Sequence, residues 1–284
     1  MARLGRRLRL IVGILALAEA MPVARADGWA DGGADALNPA VVAAETRVSL
    51  GFAVQGTRYG ENFAGTSDQE SGVLPGLTAG ISRLGPLLGI SGVYTGVVYD
   101  FAGGPLTYDG YIQGGPGAGL APYTATDHAR FNSLEVRLGR GVALSPRVDI
   151  IPFVAAGYQN WYRDIGGAGG YGEFYRAAVA GLGARVDVAV TDRLVVSATA
   201  EGLAVIGGRA SAPALGFAGD FGTSGEEAVH LGADWRLGNA LHLFAGLGVR
   251  HFDYTGSGLD NGLYEPPSST LIVRSEVGVT FGFR

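Results

Sequence analysis

From Thr46 onward, apolar residues alternate with polar or small ones at a period of two. Val48, Leu50, Phe52 and Val54 alternate with Arg47, Ser49, Gly51, Ala53 and Gln55, the pattern of a strand with one apolar and one small or polar face. The alternation is clearest near the C-terminal end. In 225–236, Val229, Leu231, Ala233 and Trp235 oppose Glu226, Ala228, His230, Gly232, Asp234 and Arg236; in 241–254, Leu241, Leu243, Leu247 and Val249 oppose His242, Phe244, Gly246, Gly248 and Arg250. Ten such segments are expected: 46–59, 72–83, 87–101, 128–140, 148–163, 171–189, 194–206, 225–236, 241–254 and 270–284. Parity is ambiguous in 87–101 and around Pro152 in 148–163, so eight or twelve strands result if a weak segment fails or splits.

The spacing of these segments carries more than the alternation itself. Connections 60–71, 102–127, 164–170, 207–224 and 255–269 are mostly long, whereas 84–86, 141–147, 190–193 and 237–240 are short. Transmembrane barrels alternate in this way, with short periplasmic turns and longer external loops. The polar face is dominated by Gly, Ala, Ser and Thr, as expected where side chains share a narrow lumen. The other face is nearly free of charge over about ten residues per strand, which suits hydrocarbon contact. Lipid forbids open sheet edges, so the last strand must close on the first. The expected fold is all-β: a closed antiparallel up-and-down transmembrane β-barrel of ten strands over 46–284.

Composition sharpens this picture. Of 284 residues, 49 are glycine, none is cysteine, and all 21 basic residues are arginine. The absence of cysteine excludes disulfides, thiolate metal sites and a thiol nucleophile, and nothing resembles the basic stripe of a nucleic-acid binder. Residues 1–26 read as a cleaved secretory signal peptide: Arg3, Arg6, Arg7 and Arg9, then an apolar run Leu10–Ala18, then Ala24-Arg25-Ala26. Residues 27–45, small and acidic, read as a flexible periplasmic tail. Without the leader, 16 basic and 25 acidic residues remain.

The segment Leu271–Arg284, with Val277, Val279, Phe281 and Phe283 alternating to the end, resembles the terminal β-signal of bacterial outer-membrane β-barrel proteins. The resemblance extends over 46–284 at the level of architecture and singles out no subfamily. It implies a cell outer membrane location, outer-membrane lipid as surroundings, and recognition by the barrel-assembly machinery during insertion. A monomer without cofactors, binding an extracellular ligand and no nucleic acid, is expected.

The inward face is expected to carry a near-balanced charge network. Its acids are Glu135, Glu173, Asp187, Glu201, Glu226, Asp234 and Glu276, and its bases Arg137, Arg185, Arg236, Arg250 and Arg274. Arginine suits this place because its planar fork bridges two carboxylates. Ten strands leave little free space, so a plugged lumen is favoured over a narrow passive channel with Arg137 and Arg250 as selectivity groups; His230 and His242 are expected to join the network. The role then falls to external loops. The longest, 102–127, presents Tyr108, Asp109 and Tyr111 as contact candidates, though Asp109-Gly110 also reads as a plain turn. Tyr59, Tyr99, Phe101, Tyr158, Trp161, Tyr162, Trp235, Phe252 and Tyr254 are candidates for interfacial girdles.

A surface protease or lipid-modifying enzyme is the less favoured alternative. Ten-strand outer-membrane proteases carry an Asp–Asp and an Asp–His pair at the outer mouth, and this chain has no adjacent Asp–Asp. Its mouth candidates are Asp100, Asp127, His128, Asp164, His251 and Asp253. Asp127 and His128, being adjacent on a strand, should face opposite ways, and His251 and Asp253 should face outward. The glycine runs 114–119 and 166–172 lack the strand and helix that a nucleotide loop requires and read as loops. Calcium at Asp220 or Asp260 has no ligand spacing behind it.

Overall fold

A computed structural model describes residues 36–63, 66–113 and 120–283. The strands are β1 (Arg47–Phe63), β2 (Thr66–Leu87), β3 (Ile90–Gln113), β4 (Leu120–Arg140), β5 (Val142–Ser145), β6 (Val148–Asp164), β7 (Gly172–Ala189), β8 (Leu194–Ala212), β9 (Phe217–Asp220), β10 (Ser224–Arg236), β11 (Leu241–Tyr254) and β12 (Ser268–Gly282). Ten of them close an antiparallel barrel in the order β1-β2-β3-β4-β6-β7-β8-β10-β11-β12, with β12 pairing back onto β1. Short β5 pairs with β6, and β9 folds back on β8. The expected segments all coincide with barrel strands. Pro152, the source of the ambiguity, points outward, and β6 alternates cleanly on either side of it.

Every barrel strand exposes large apolar side chains on its outer face. Phe52 is 82% exposed, Leu182 66%, Val73 64% and Val277 60%, with Leu138, Val154, Val196, Leu231 and Leu247 continuing the belt. In water such a continuous belt would be far larger than the patches soluble monomers tolerate; as the lipid-facing wall of a barrel it costs nothing. Among the described residues no helix is long and apolar enough to cross a membrane. The architecture is that of a bacterial outer-membrane β-barrel.

The short turns share one end with Arg47 and Gly282, called the inner end here. By the rule that short turns face the periplasm, the opposite, outer end faces the exterior. There β1 to β4, strands of 17, 22, 24 and 21 residues, run on as two long hairpins, each strand about twice what a bilayer needs. This corrects the expectation of a free loop at 102–127: β3 and β4 pair in register from Val93↔Arg140 to Gln113↔Leu120. Tyr, Thr and Leu at alternate positions let the hairpin continue past the lipid, where its apolar face turns into the barrel mouth. The run 114–119 lies outside the described residues.

A second correction concerns the N-terminal segment. Residues 27–35 lie outside the described residues, but Pro39–Glu45 form a helix, α1. Asn38 is its N-cap, with Oδ1 accepting from the Ala40 N–H at 2.8 Å, and Pro39 occupies the first turn; both are favoured in these places. Seven residues make a marginal helix on their own. Packing holds it: Val41 and Ala44 are buried against Leu84, Tyr94, Ile151, Ala189 and Val195 inside the inner end of the barrel.

Candidate functional site

Three layers fill the lumen from the inner end outward. In the first, α1 is tied to the barrel wall by ion pairs. Glu45 meets Arg185 at 2.6 Å, and Arg185 also meets Asp187 at 2.9 Å. The Asn38 N–H donates to Asp149 at 3.0 Å. Beside it, Asp234 gathers Arg47 at 2.7 Å, His242 at 2.5 Å and Thr280 at 3.4 Å.

The second layer is a cavity of about 210 Å³ at mid-lumen. Arg137 there contacts Glu135 at 2.5 Å and Glu201 at 3.2 Å; Arg250 lies 3.4 Å from Glu226; Arg274 bridges Asp100 at 3.0 Å and Glu276 at 3.5 Å, and Glu276 is 3.2 Å from His230. The structure thus brings most of the residues expected in the lumen into ion pairs, but not Arg236. Arg236 sits at the inner rim and donates to the Asp192 carbonyl at 2.6 Å: at the last residue of β10 its guanidinium reaches the neighbouring turn more easily than the lumen.

The third layer, near the outer end, was not legible as a cluster. Arg163 on β6 is 2% exposed and lies at 2.5 Å from Glu70, 2.6 Å from Glu173 and 3.2 Å from Glu61. Tyr175 bridges Arg163, at 2.8 Å, to Glu265, at 2.7 Å. Beneath it stack Trp161 and Phe131, 4.8 Å apart, with Tyr59 edge-on to Trp161 at 4.7 Å and Tyr175 against Tyr254 at 5.9 Å. The Arg163 guanidinium lies over Tyr59 at 4.8 Å and Trp161 at 5.2 Å. Tyr59, Trp161, Phe252 and Tyr254 are thus inward and buried, correcting their assignment to an outer girdle; Tyr99, Tyr158 and Trp235 do face outward. The even balance of charge also needs correction, because one guanidinium here faces four glutamates. Burial of Glu265, in the loop between β11 and β12, pushes its carboxyl well above the usual carboxylate range, and the nearby Glu61 and Glu173 push the same way. Clean parity in β6 would have revealed Arg163; Glu61, Glu70 and Glu265 fell in segments expected to be loops.

An outer cap closes over this layer. Phe217 and Phe221 enter the aromatic cluster from the β8–β10 connection, with Phe221 5.0 Å from Tyr254. The same connection is fastened to the β11–β12 loop: Asp260 accepts from the Ala218 N–H at 2.8 Å, Asn261 donates to the Gly216 carbonyl at 2.6 Å, and Phe221 bridges to Ser257. Tyr108 belongs to this interior, 4% exposed and donating to Asp68 at 2.6 Å, which removes it from the contact candidates. Asp109 remains exposed, and the Tyr111 N–H donates to Asp68 at 2.9 Å. The loop 166–172 is held by Tyr123, whose hydroxyl donates to the Gly166 carbonyl.

The mouth candidates do not converge. Asp127 is fully buried and accepts from the Asp164 N–H, while His128 is exposed on the other face. His251 faces outward with Ser269 at 2.9 Å and Asp253 at 3.5 Å, but both contact its Nε2. A nucleophile–base–acid relay uses the two ring nitrogens separately, so this trio does not present one. Asp260 is engaged in a backbone cap and Asp220 pairs loosely with Arg209 at 3.6 Å. Among the described residues no group of three or more His, Asp or Glu is arranged to hold a metal ion.

Comparison with known proteins adds limited context. No family model matches, and no curated protein sequence matches. Solved structures similar in shape include the outer membrane protease OmpT from Escherichia coli (12% identity, 84% of this chain and 95% of that one, TM-score 0.49). The translocator domain of autotransporter NalP from Neisseria meningitidis follows at 14% identity, 84% and 89% coverage and TM-score 0.39. The attachment invasion locus protein Ail of Yersinia pestis gives 9%, 84%, 99% and 0.30. At these scores the three carry no argument about activity.

Proposed function

We propose that this protein is a non-conducting, non-enzymatic barrel of the cell outer membrane that acts at the surface through its folded outer cap, with an extracellular molecule as partner. One observation carries the reading. At the level of Arg163, the inward residues Tyr59, Glu61, Glu70, Leu106, Asp127, Trp161, Glu173, Tyr175, Ala210, Tyr254 and Thr270 are all buried. A continuous water path would leave a ring of lining residues exposed at every level. With α1 wedged in the inner end, the lumen is closed twice.

The cap supplies the surface. Leu259 is 77% exposed, Leu215 43% and Tyr264 39%, on two loops fastened to one another. Apolar groups on a braced loop pair lose little entropy on contact, which favours binding. The C-terminal residues Val277, Phe281 and Phe283 face outward, the side from which assembly machinery could read them. Liposome swelling tests the reading. Correctly inserted protein should swell in small sugars no faster than protein-free liposomes; fast swelling would favour the narrow-channel alternative.

A further inference from the structure

On four neighbouring strands the lipid-facing belt meets a paired row of polar residues. Below that row the outward residues are Leu134 on β4, Tyr158 on β6, Ala178 on β7 and Ile206 on β8, each exposed. The next outward residues are Asn132, Asn160, Arg176 and Arg209, which stand side by side: Asn132↔Asn160, Asn160↔Arg176 and Arg176↔Arg209. One row further out, Arg130 opposes Tyr162, its guanidinium 4.8 Å from the ring centroid, and Tyr162 opposes the exposed Phe174 with ring centroids 4.5 Å apart. Three arginines thus stand on neighbouring strands toward the outer end of the belt, around the aromatic pair Tyr162–Phe174.

The placement of Arg209 is constructed. The register between β7 and β8 slips between Arg176 and Ala178, where Gly207 and Gly208 face a single residue and Gly207 has φ 60°. This bulge reverses the parity of β8. Without the extra residue, Arg209 would point inward; with it, Arg209 stands outward, directly opposite Arg176. Like charges opposite one another destabilise a sheet, and bulges re-aim side chains at functional places. Neither Arg130 nor Arg176 forms an ion pair among the described residues, and the one carboxylate on Arg209 is the 81%-exposed Asp220 at 3.6 Å. Exposed Asp164, beyond Tyr162, is the other nearby acid.

We infer that Arg130, Arg176 and Arg209 form a binding site for the phosphate groups of an outer-leaflet glycolipid, with its acyl chains on the belt below. The outward aromatic pair Tyr162–Phe174 beside the arginines suits the interface where headgroups lie, the guanidinium forks match phosphate geometry, and an anion between Arg176 and Arg209 relieves their repulsion. Tyr162 and the Asn132–Asn160 pair, bonded at 3.0 Å with Tyr99 donating to Asn132 at 2.8 Å, offer polar contacts for sugar hydroxyls. The site rests on the lipid-facing belt and is independent of whether the lumen conducts.

The test uses the full barrel refolded into phosphatidylcholine vesicles, with insertion checked by heat-modifiable gel migration. Bisphosphorylated lipid A is titrated in and retention after detergent extraction is measured. The triple variant R130Q/R176Q/R209Q should bind about tenfold or more weakly, each 1.4 kcal/mol lost being a factor of ten. R58Q, an exposed arginine on β1, should bind as wild type. Dephosphorylated lipid A should not be retained, and inorganic phosphate should not compete at equal concentration. Equal retention by wild type and the triple variant, or equal loss with R58Q, would overturn the site. Competition by inorganic phosphate at equal concentration would overturn its assignment to a lipid.

Discussion

Arg163 on β6 reaches across the lumen to Glu70 on β2, with Nε at 2.9 Å and Nη2 at 2.5 Å from the same carboxylate oxygen. The two strands are separated by β3 and β4 in the barrel order, so the pair ties non-adjacent strands across the lumen. Removing one partner of a buried pair leaves the other uncompensated and costs about 3–5 kcal/mol. Arg163→Met should lower stability by that order, measured by urea unfolding in micelles. Because Glu61, Glu70 and Glu173 would then lack their shared cation, water should enter the layer, while α1 still closes the inner end and keeps this single variant from conducting.

Glu265 gives a pH dependence of defined sign. Its carboxyl is held above the ordinary range by burial, so the folded state binds a proton that the unfolded state releases near pH 4.3. Stability contributed by this group is therefore full at acid pH and declines as pH rises from there toward the raised value. Glu265→Gln keeps the acceptor for Tyr175 and cannot ionise. Unfolding curves should show the variant gaining on wild type as pH rises from about 4 to 8, with the gap closing at the acid end.

The α1 plug should be separable from the outer seal. Val41 is fully buried, and Val41→Ala should cost about 1–3 kcal/mol. Deleting residues 36–45 should leave the barrel silent in a bilayer, because the Arg163 layer still closes it. Coupling that deletion with Arg163→Met removes both closures and should give discrete openings that neither change gives alone.

Small residues in the lumen make room for large ones. A Cβ on Gly51 would come within 2.7 Å of the Phe244 ring and 2.9 Å of the Val277 carbonyl. Gly51→Ala should therefore destabilise by about 1–3 kcal/mol, and Phe244→Leu in the same chain should recover part of the loss. A thermal melt of the single and the double variant against wild type checks this.

Strand number, closure and the direction of most side chains were legible because a half-lipid, half-lumen strand writes its period into the sequence. Glu135, Arg137, Arg185 and Glu201 could be placed from parity alone. The outer third was hidden for a physical reason. Beyond the lipid a strand no longer needs an apolar outer face, so Glu61, Glu70 and Tyr108 lie in stretches that read as loops although their backbone stays paired. The α1 helix was hidden by its length, its Asn38-Pro39 start being the only local sign. Arg163 was lost to the uncertain parity around Pro152.

Single-channel recording of the wild-type barrel in a planar bilayer tests the central claim most directly. The account predicts a correctly inserted barrel with no steady openings, and discrete openings once Arg163→Met is combined with deletion of residues 36–45. Steady openings of the wild type would contradict it, since the ring of buried residues at the Arg163 level would then have to part in the resting protein.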